Sequence, residues 1–155
     1  MIAIIAFIIL IIDLGSKMII AKYIGASDSV KVIDNFMSLT HVRNTGAAWS
    51  MFSDSKYLVL IISAVIISGL ILYIIKNKPS NKLEKIAYGF ILGGALGNFL
   101  NRLVNGYVTD FIDLRIFGYD YPIFNLADTF IVLGVAFIII NSIRSSKDGN
   151  KSSRK

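Results

Sequence analysis

The chain has 155 residues, 55% of them hydrophobic and only 17% charged, with a formal net charge of +6 and a mean hydropathy of +0.68. That length suits one domain, and the composition belongs to a membrane protein rather than a soluble one. With no cysteine in the chain, a structural disulfide, a thiolate nucleophile and a cysteine-ligated metal are excluded.

Four apolar runs, at about 1–24, 57–75, 86–104 and 124–143, qualify as spans, since each reaches roughly 28–36 Å as a helix against a hydrocarbon core of about 30 Å. The first is interrupted by Asp13, Ser16 and Lys17. It lacks the basic start and small-residue cleavage site of a removable signal peptide, so it is expected to stay as a helix. Asp13 and Lys17 stand four residues apart and share one helix face, where they can pair. A neutralising anchor and a direct role in a site are equally open to them.

Segment 25–56 is too long for a simple turn. Its SVKVIDNFMSLTHVR stretch mixes β-branched and aromatic residues with partial alternation, which predicts one or two short strands. NTGAAWSMF follows; Gly46, Ala47 and Ala48 would let another backbone come close, as a peptide-binding edge needs and as a turn before a helix also needs. After the second run, KNKPSNKLEK at 76–85 is a short solvated connection. The third run carries ILGGALGNFLNR, whose small residues favour close helix packing in a membrane. Segment 105–123 contains Asp110, Asp113 and Asp120 among several aromatics, and its DLRIFGYDY portion suits the membrane interface. The last run opens with FNLAD and ends in a basic tail, 144–155.

Lys76, Lys78, Lys82 and Lys85 in the middle connection, and Arg144, Lys147, Lys151, Arg154 and Lys155 in the tail, have only Glu84 and Asp148 for company. The positive-inside rule therefore places that loop, the tail and both termini in the cytoplasm, with 25–56 and 105–123 outside. The net charge is accounted for by topology. Because the tail KDGNKSSRK offers no aromatic residue for stacking, nucleic acid is not expected as a partner.

With that topology, the residue just after the third run and the one just inside the fourth meet at the outer face. These are Asp110 and Asp128. Two carboxyls held together share a proton, and such a pair suits peptide hydrolysis. The ionised member takes a proton from an attacking water, while the protonated member hydrogen-bonds the scissile carbonyl and helps protonate the leaving amine; no metal or other cofactor is required. The plainer alternative for Asp128 is a cap at a helix start, three residues after Asn125.

Five stretches carry a resemblance along nearly the whole chain: DLGSK at 13–17, HVRNTGAAWS at 41–50, GNFLNR at 97–102, VTDFID at 108–113 and FNLAD at 124–128. In this order and spacing the chain resembles the lipoprotein signal peptidases, bacterial signal peptidase II. The resemblance implies an aspartic endopeptidase of the bacterial plasma membrane, working as a monomer among membrane lipids. It would remove the signal peptide of a lipid-modified prolipoprotein on the N-terminal side of the diacylglyceryl cysteine. It assigns the catalytic pair to Asp110 and Asp128, places Asn44 and Gly46 along the substrate groove, and sets Asn98, Arg102 and Asn125 beside the pair, with Asp13 and Lys17 as the polar pair of the first span. The implied fold is an all-α polytopic membrane protein: four transmembrane helices, a small extracytoplasmic β-cradle from the first outward segment and a short extracytoplasmic helix in the second. Asn101 departs from the pattern, because the family commonly has aspartate there, and Arg102 would lose a carboxylate partner.

Two other functions compete. A small ion- or proton-coupled transporter would use Asp13, Lys17, Asp110 and Asp128 as a relay, but expects midplane carboxylates and an internal repeat. A scaffold without chemistry gives no reason for polar residues inside the spans. His41 is the only histidine, so a two-histidine metal site is excluded, and its pairing with Ser38 or Ser50 as a nucleophile lacks a GxSxG elbow.

Overall fold

Helix α1, Ile2–Tyr23, buries Ala6, Ile9, Asp13, Lys17 and Ile20, a stripe at three- and four-residue spacing that marks the face turned to protein. The structure, a computed structural model, describes residues 1–46 and 56–152. Ala47, Ala48 and Ser50, with the end of the HVRNTGAAWS stretch, lie outside the described residues. After α1 come strands β1 (Ser29–Ile33) and β2 (Met37–Asn44), then helix α2 (Lys56–Asn77), helix α3 (Lys82–Asn105), strands β3 (Val108–Ile116) and β4 (Tyr119–Asp120), and helix α4 (Leu126–Ser152).

Helices α1, α2 and α4 are long and apolar enough to cross a membrane. Helix α3 is as long, but it is the one the others pack against. It buries Ala87, Tyr88, Gly89, Gly93, Gly94, Gly97, Asn101 and Arg102. A Cβ placed on Gly93 would lie 2.6 Å from the Ala6 carbonyl of α1, and one on Gly94 would lie 2.5 Å from the Ala127 carbonyl of α4. Small residues on two faces of α3 thus let two backbones approach at once, which is how helices associate where lipid removes the hydrophobic drive. Asn81 caps its start by accepting from the Leu83 N–H at 2.8 Å. Gly106 ends it in the left-handed region, at φ 79°, where glycine is free to go.

The sheet has the order β1-β2-β3-β4 and is antiparallel throughout. It therefore draws on both outward segments, not the first alone. The short helix expected in the second is absent, and residues 108–116 form β3 instead. VTDFIDLRI is rich in β-branched and apolar residues, and pairing with β2 from Val108 to Leu114 satisfies the backbone that a helix would otherwise have satisfied internally. Residues 117 and 118 turn the chain into β4, both with positive φ. This places Phe117 fully in the open beside Tyr119 and Tyr121. The sheet is anchored on the helices by Ile20 of α1 and Ile24 just beyond its end against Phe111 of β3, with Leu39, Ile112 and Leu126 around them.

Candidate active site

Asp110 and Asp128 meet because the chain between them is pinned at both ends. The Phe111 and Ile112 N–H groups both donate to the Phe124 carbonyl, and Phe124 N–H donates back to Ile112. The residue before Asn125 is thereby tied beside the residue after Asp110. From the other side, Asn101 Oδ1 accepts the Thr109 N–H at 2.8 Å, which fixes the start of β3 on the end of α3.

Asn125 then touches both acids. Its Nδ2 donates to Asp110 Oδ1 at 2.6 Å. Its own backbone N–H donates to Asp128 Oδ2 at 3.2 Å, and its Oδ1 accepts the Asp128 N–H at 3.1 Å. The last two bonds are a reciprocal capping box at the start of α4, with aspartate in the place usually held by glutamate. Asp128 is thus a helix cap and a cavity-lining carboxylate together: Oδ2 closes the box, and Oδ1 accepts from Asn98 Nδ2 at 2.8 Å.

Asp110 is 4% exposed. Besides Asn125 it accepts from Asn44 Nδ2 at 2.8 Å. Asn44 pairs with Val108 in the ladder, so Asp110, two residues on, shares its face and lies within diagonal reach. Asn44 Oδ1 in turn accepts the Gly46 N–H at 3.0 Å. Burial pushes the Asp110 carboxyl up to about 6 from its ordinary 3.8; the amides of Asn44 and Asn125 oppose the rise, and the nearby Asp128 adds to it.

Asp13 and Lys17 are paired at 2.7 Å and fully buried. Lys17 Nζ also donates to Asn98 Oδ1 at 2.7 Å, and Asp13 Oδ1 accepts the Ala127 N–H at 2.9 Å. Arg102 donates to the Gly46 carbonyl at 2.7 Å, while its buried Nε has no partner among the described residues. All nine residues singled out in the sequence therefore fall into one connected cluster. A cavity of about 780 Å³ opens beside it, lined by Asn44, Asn98, Arg102, Asp110, Asn125 and Asp128 among apolar side chains that include Val59, Ile67 and Val132. Among the described residues no three His, Asp or Glu side chains gather as a metal site.

Other polar residues take structural places. Asp113 is half-buried and accepts from Thr40 Oγ1 at 2.8 Å. Asp120 is exposed and paired with Arg115 at 2.6 Å. His41 donates from Nδ1 to the Ile24 carbonyl at 2.8 Å, tying β2 to the end of α1, and its buried Nε2 has no hydrogen-bond partner among the described residues, Ser38 included. Thr109 and Ala127 contribute only backbone N–H groups to the cluster, and for those no side-chain pattern gives a signal. Asn101 had a legible signal, its departure from the family pattern, but its bond to Thr109 did not.

The Peptidase_A8 family, described as signal peptidase (SPase) II, matches residues 5–144. The chain is 47% identical to the lipoprotein signal peptidase of Staphylococcus haemolyticus over 143 residues, 92% of this chain and 90% of the relative. It is 39% identical to that of Anoxybacillus flavithermus over 135 residues, 87% of this chain and 80% of the relative. Among solved structures it is similar to a bacterial membrane enzyme determined by the in meso method at 2.3 Å resolution, with a TM-score of 0.85 and 40% identity over 94% of this chain and 88% of that one.

Proposed function

This chain belongs to the signal peptidase II family, membrane proteases that remove signal peptides from prolipoproteins, and from that premise we propose that it works as an aspartic endopeptidase through Asp110 and Asp128. The transporter alternative finds no support among these relatives. The observation that carries the proposal is the pair of bonds made by Asn125, whose side-chain amide donates to the acid of β3 and whose backbone N–H donates to the acid of α4. Two carboxyls so placed favour a single shared proton. The ionised acid accepts a proton from the attacking water, and the protonated acid stabilises the carbonyl oxygen; no step calls for a metal.

The peptide would lie between the β-cradle and the acids, with Asn44, Gly46 and Arg102 holding its backbone, and the bond cut would be on the N-terminal side of the lipid-bearing cysteine. The acyl chains would stay against apolar helix faces in the bilayer. Each buried CH₂ contributes about 0.8 kcal/mol there, which confines the substrate to the depth of the site. In this arrangement α3 is the fourth span. Both termini are cytoplasmic, the cluster sits near the extracytoplasmic face, and the chain acts as a monomer.

The test is cleavage of a diacylglyceryl-modified precursor by purified enzyme, with Asp110→Asn and Asp128→Asn made separately. Each should lower the rate by about 10²–10⁴-fold while still giving a cooperative melt in detergent. An unmodified precursor should be cut far more slowly. Full activity in either variant removes that residue from the mechanism.

A further inference from the structure

We propose that Lys17 is the positioning residue that makes the two acids unequal: by holding the carbonyl end of Asn98 it turns that amide's donor onto Asp128, so that Asp128 serves as the base and Asp110 as the proton donor. This rests on the aspartic mechanism above and assigns its two roles.

An ammonium group can only donate, and a carboxylate can only accept. Lys17 Nζ lies 2.7 Å from Asn98 Oδ1, and Asn98 Nδ2 lies 2.8 Å from Asp128 Oδ1. The orientation of Asn98 is therefore forced from both ends, and a cation stands one amide away from Asp128. Such a bond is charge-assisted and polarised toward the acceptor. Asp128 also lies in the first turn of α4, where the helix end favours negative charge.

Asp110 has neither advantage. It sits on a strand, more deeply buried than Asp128, and its two donors are the neutral amides of Asn44 and Asn125. The charged groups around Asp128 are Asp13 and Lys17 of α1, Arg102 of α3 and Asp110 of β3. Arg102 acts on both acids, and among the described residues its bond goes to Gly46, so it does not separate them. Lys17 also acts on both, but its hydrogen-bonded amide reaches Asp128 alone, and Asp13 tempers it as its counter-ion.

Water oxygen then bonds to the scissile carbon while Asp128 takes a water proton and Asp110 gives its proton to the carbonyl oxygen. On collapse the C–N bond breaks. The nitrogen receives the proton from Asp128, and Asp110 recovers one from the diol, which leaves the pair as it began.

The experiment is the pH dependence of kcat/KM on a diacylglyceryl precursor for the parent, Lys17→Met, Asp13→Asn and the double variant, each with a melt in detergent. The acidic limb reports protonation of the base. It should move up by about one pH unit in Lys17→Met and in the double variant, which leaves no unpaired buried charge. It should move down in Asp13→Asn, where Lys17 loses its counter-ion. An acidic limb that stays in place in folded, active variants overturns the proposal. So does failure of all three to fold, since the pair would then be structural alone. A parent enzyme that leaves the precursor uncut would instead reject the aspartic mechanism itself, whatever the variants do.

Discussion

Helices α2 and α3 are 22 and 24 residues long and solve opposite problems. Helix α2 is apolar on every side; Ile61, Val65 and Leu72 are exposed, and Val59 and Ile67 are its buried apolar residues. Helix α3 is the one whose composition falls short of a span, yet it stands in the middle with eight residues buried. Apolar character along a membrane chain therefore records contact with lipid rather than place in the core. Where lipid is as apolar as leucine, a helix gains a central position by being thin, and polar side chains on it are sheltered by its neighbours.

The comparison breaks most readily at Gly93. Gly93→Leu drives a branched side chain into the Ala6 backbone, where nothing can yield. A loss on the order of 3 kcal/mol is expected, the upper end of the usual cost of overpacking because the obstacle is backbone, and it should appear as a lower melting temperature or a poor yield in detergent. An equal loss from a leucine placed at Gly69 of α2, where a Cβ meets nothing within 4 Å, would erase the distinction between the two helices.

A smaller effect sharpens the polar side of the contrast. Burial raises Asp110 from 3.8 to about 6, so the folded state prefers its protonated form. That contribution to stability is fully present below about pH 4 and is lost as pH rises through about 6. The parent should melt lower at pH 7.5 than at pH 5, and Asp110→Asn should flatten this part of the dependence. An unchanged slope in the variant would mean that the acid is not held in a desolvated place.

The smallest effect belongs to the lipid-facing side. Ile61→Ala removes a side chain that is 60% exposed, and it should change stability by no more than about 0.5 kcal/mol. A loss comparable to that at Gly93 would show that α2 has a packing partner on that face.

Much of this was legible before any coordinates. The four helices follow from apolar runs, and the Asp13–Lys17 pair follows from a four-residue spacing. Strand character was readable in SVKVIDNFMSLTHVR. It was equally present in VTDFIDLRI, where a resemblance-based expectation of a helix displaced it. What the sequence hid were the long-range ends of local pairs. Asp13 reaches Ala127 and Lys17 reaches Asn98, separations of 114 and 81 residues that no periodicity encodes. The cap reading of Asp128 does not exhaust the carboxylate, because Oδ2 closes the box while Oδ1 is left to accept from Asn98.

Asn125 also bears on how such an enzyme is made. One acid arrives with a strand and the other with the final helix, and the contact between them closes only after that helix has docked beside its predecessors. A chain whose α4 has yet to settle against α1 and α3 therefore lacks the link by which Asn125 joins Asp110 to Asp128.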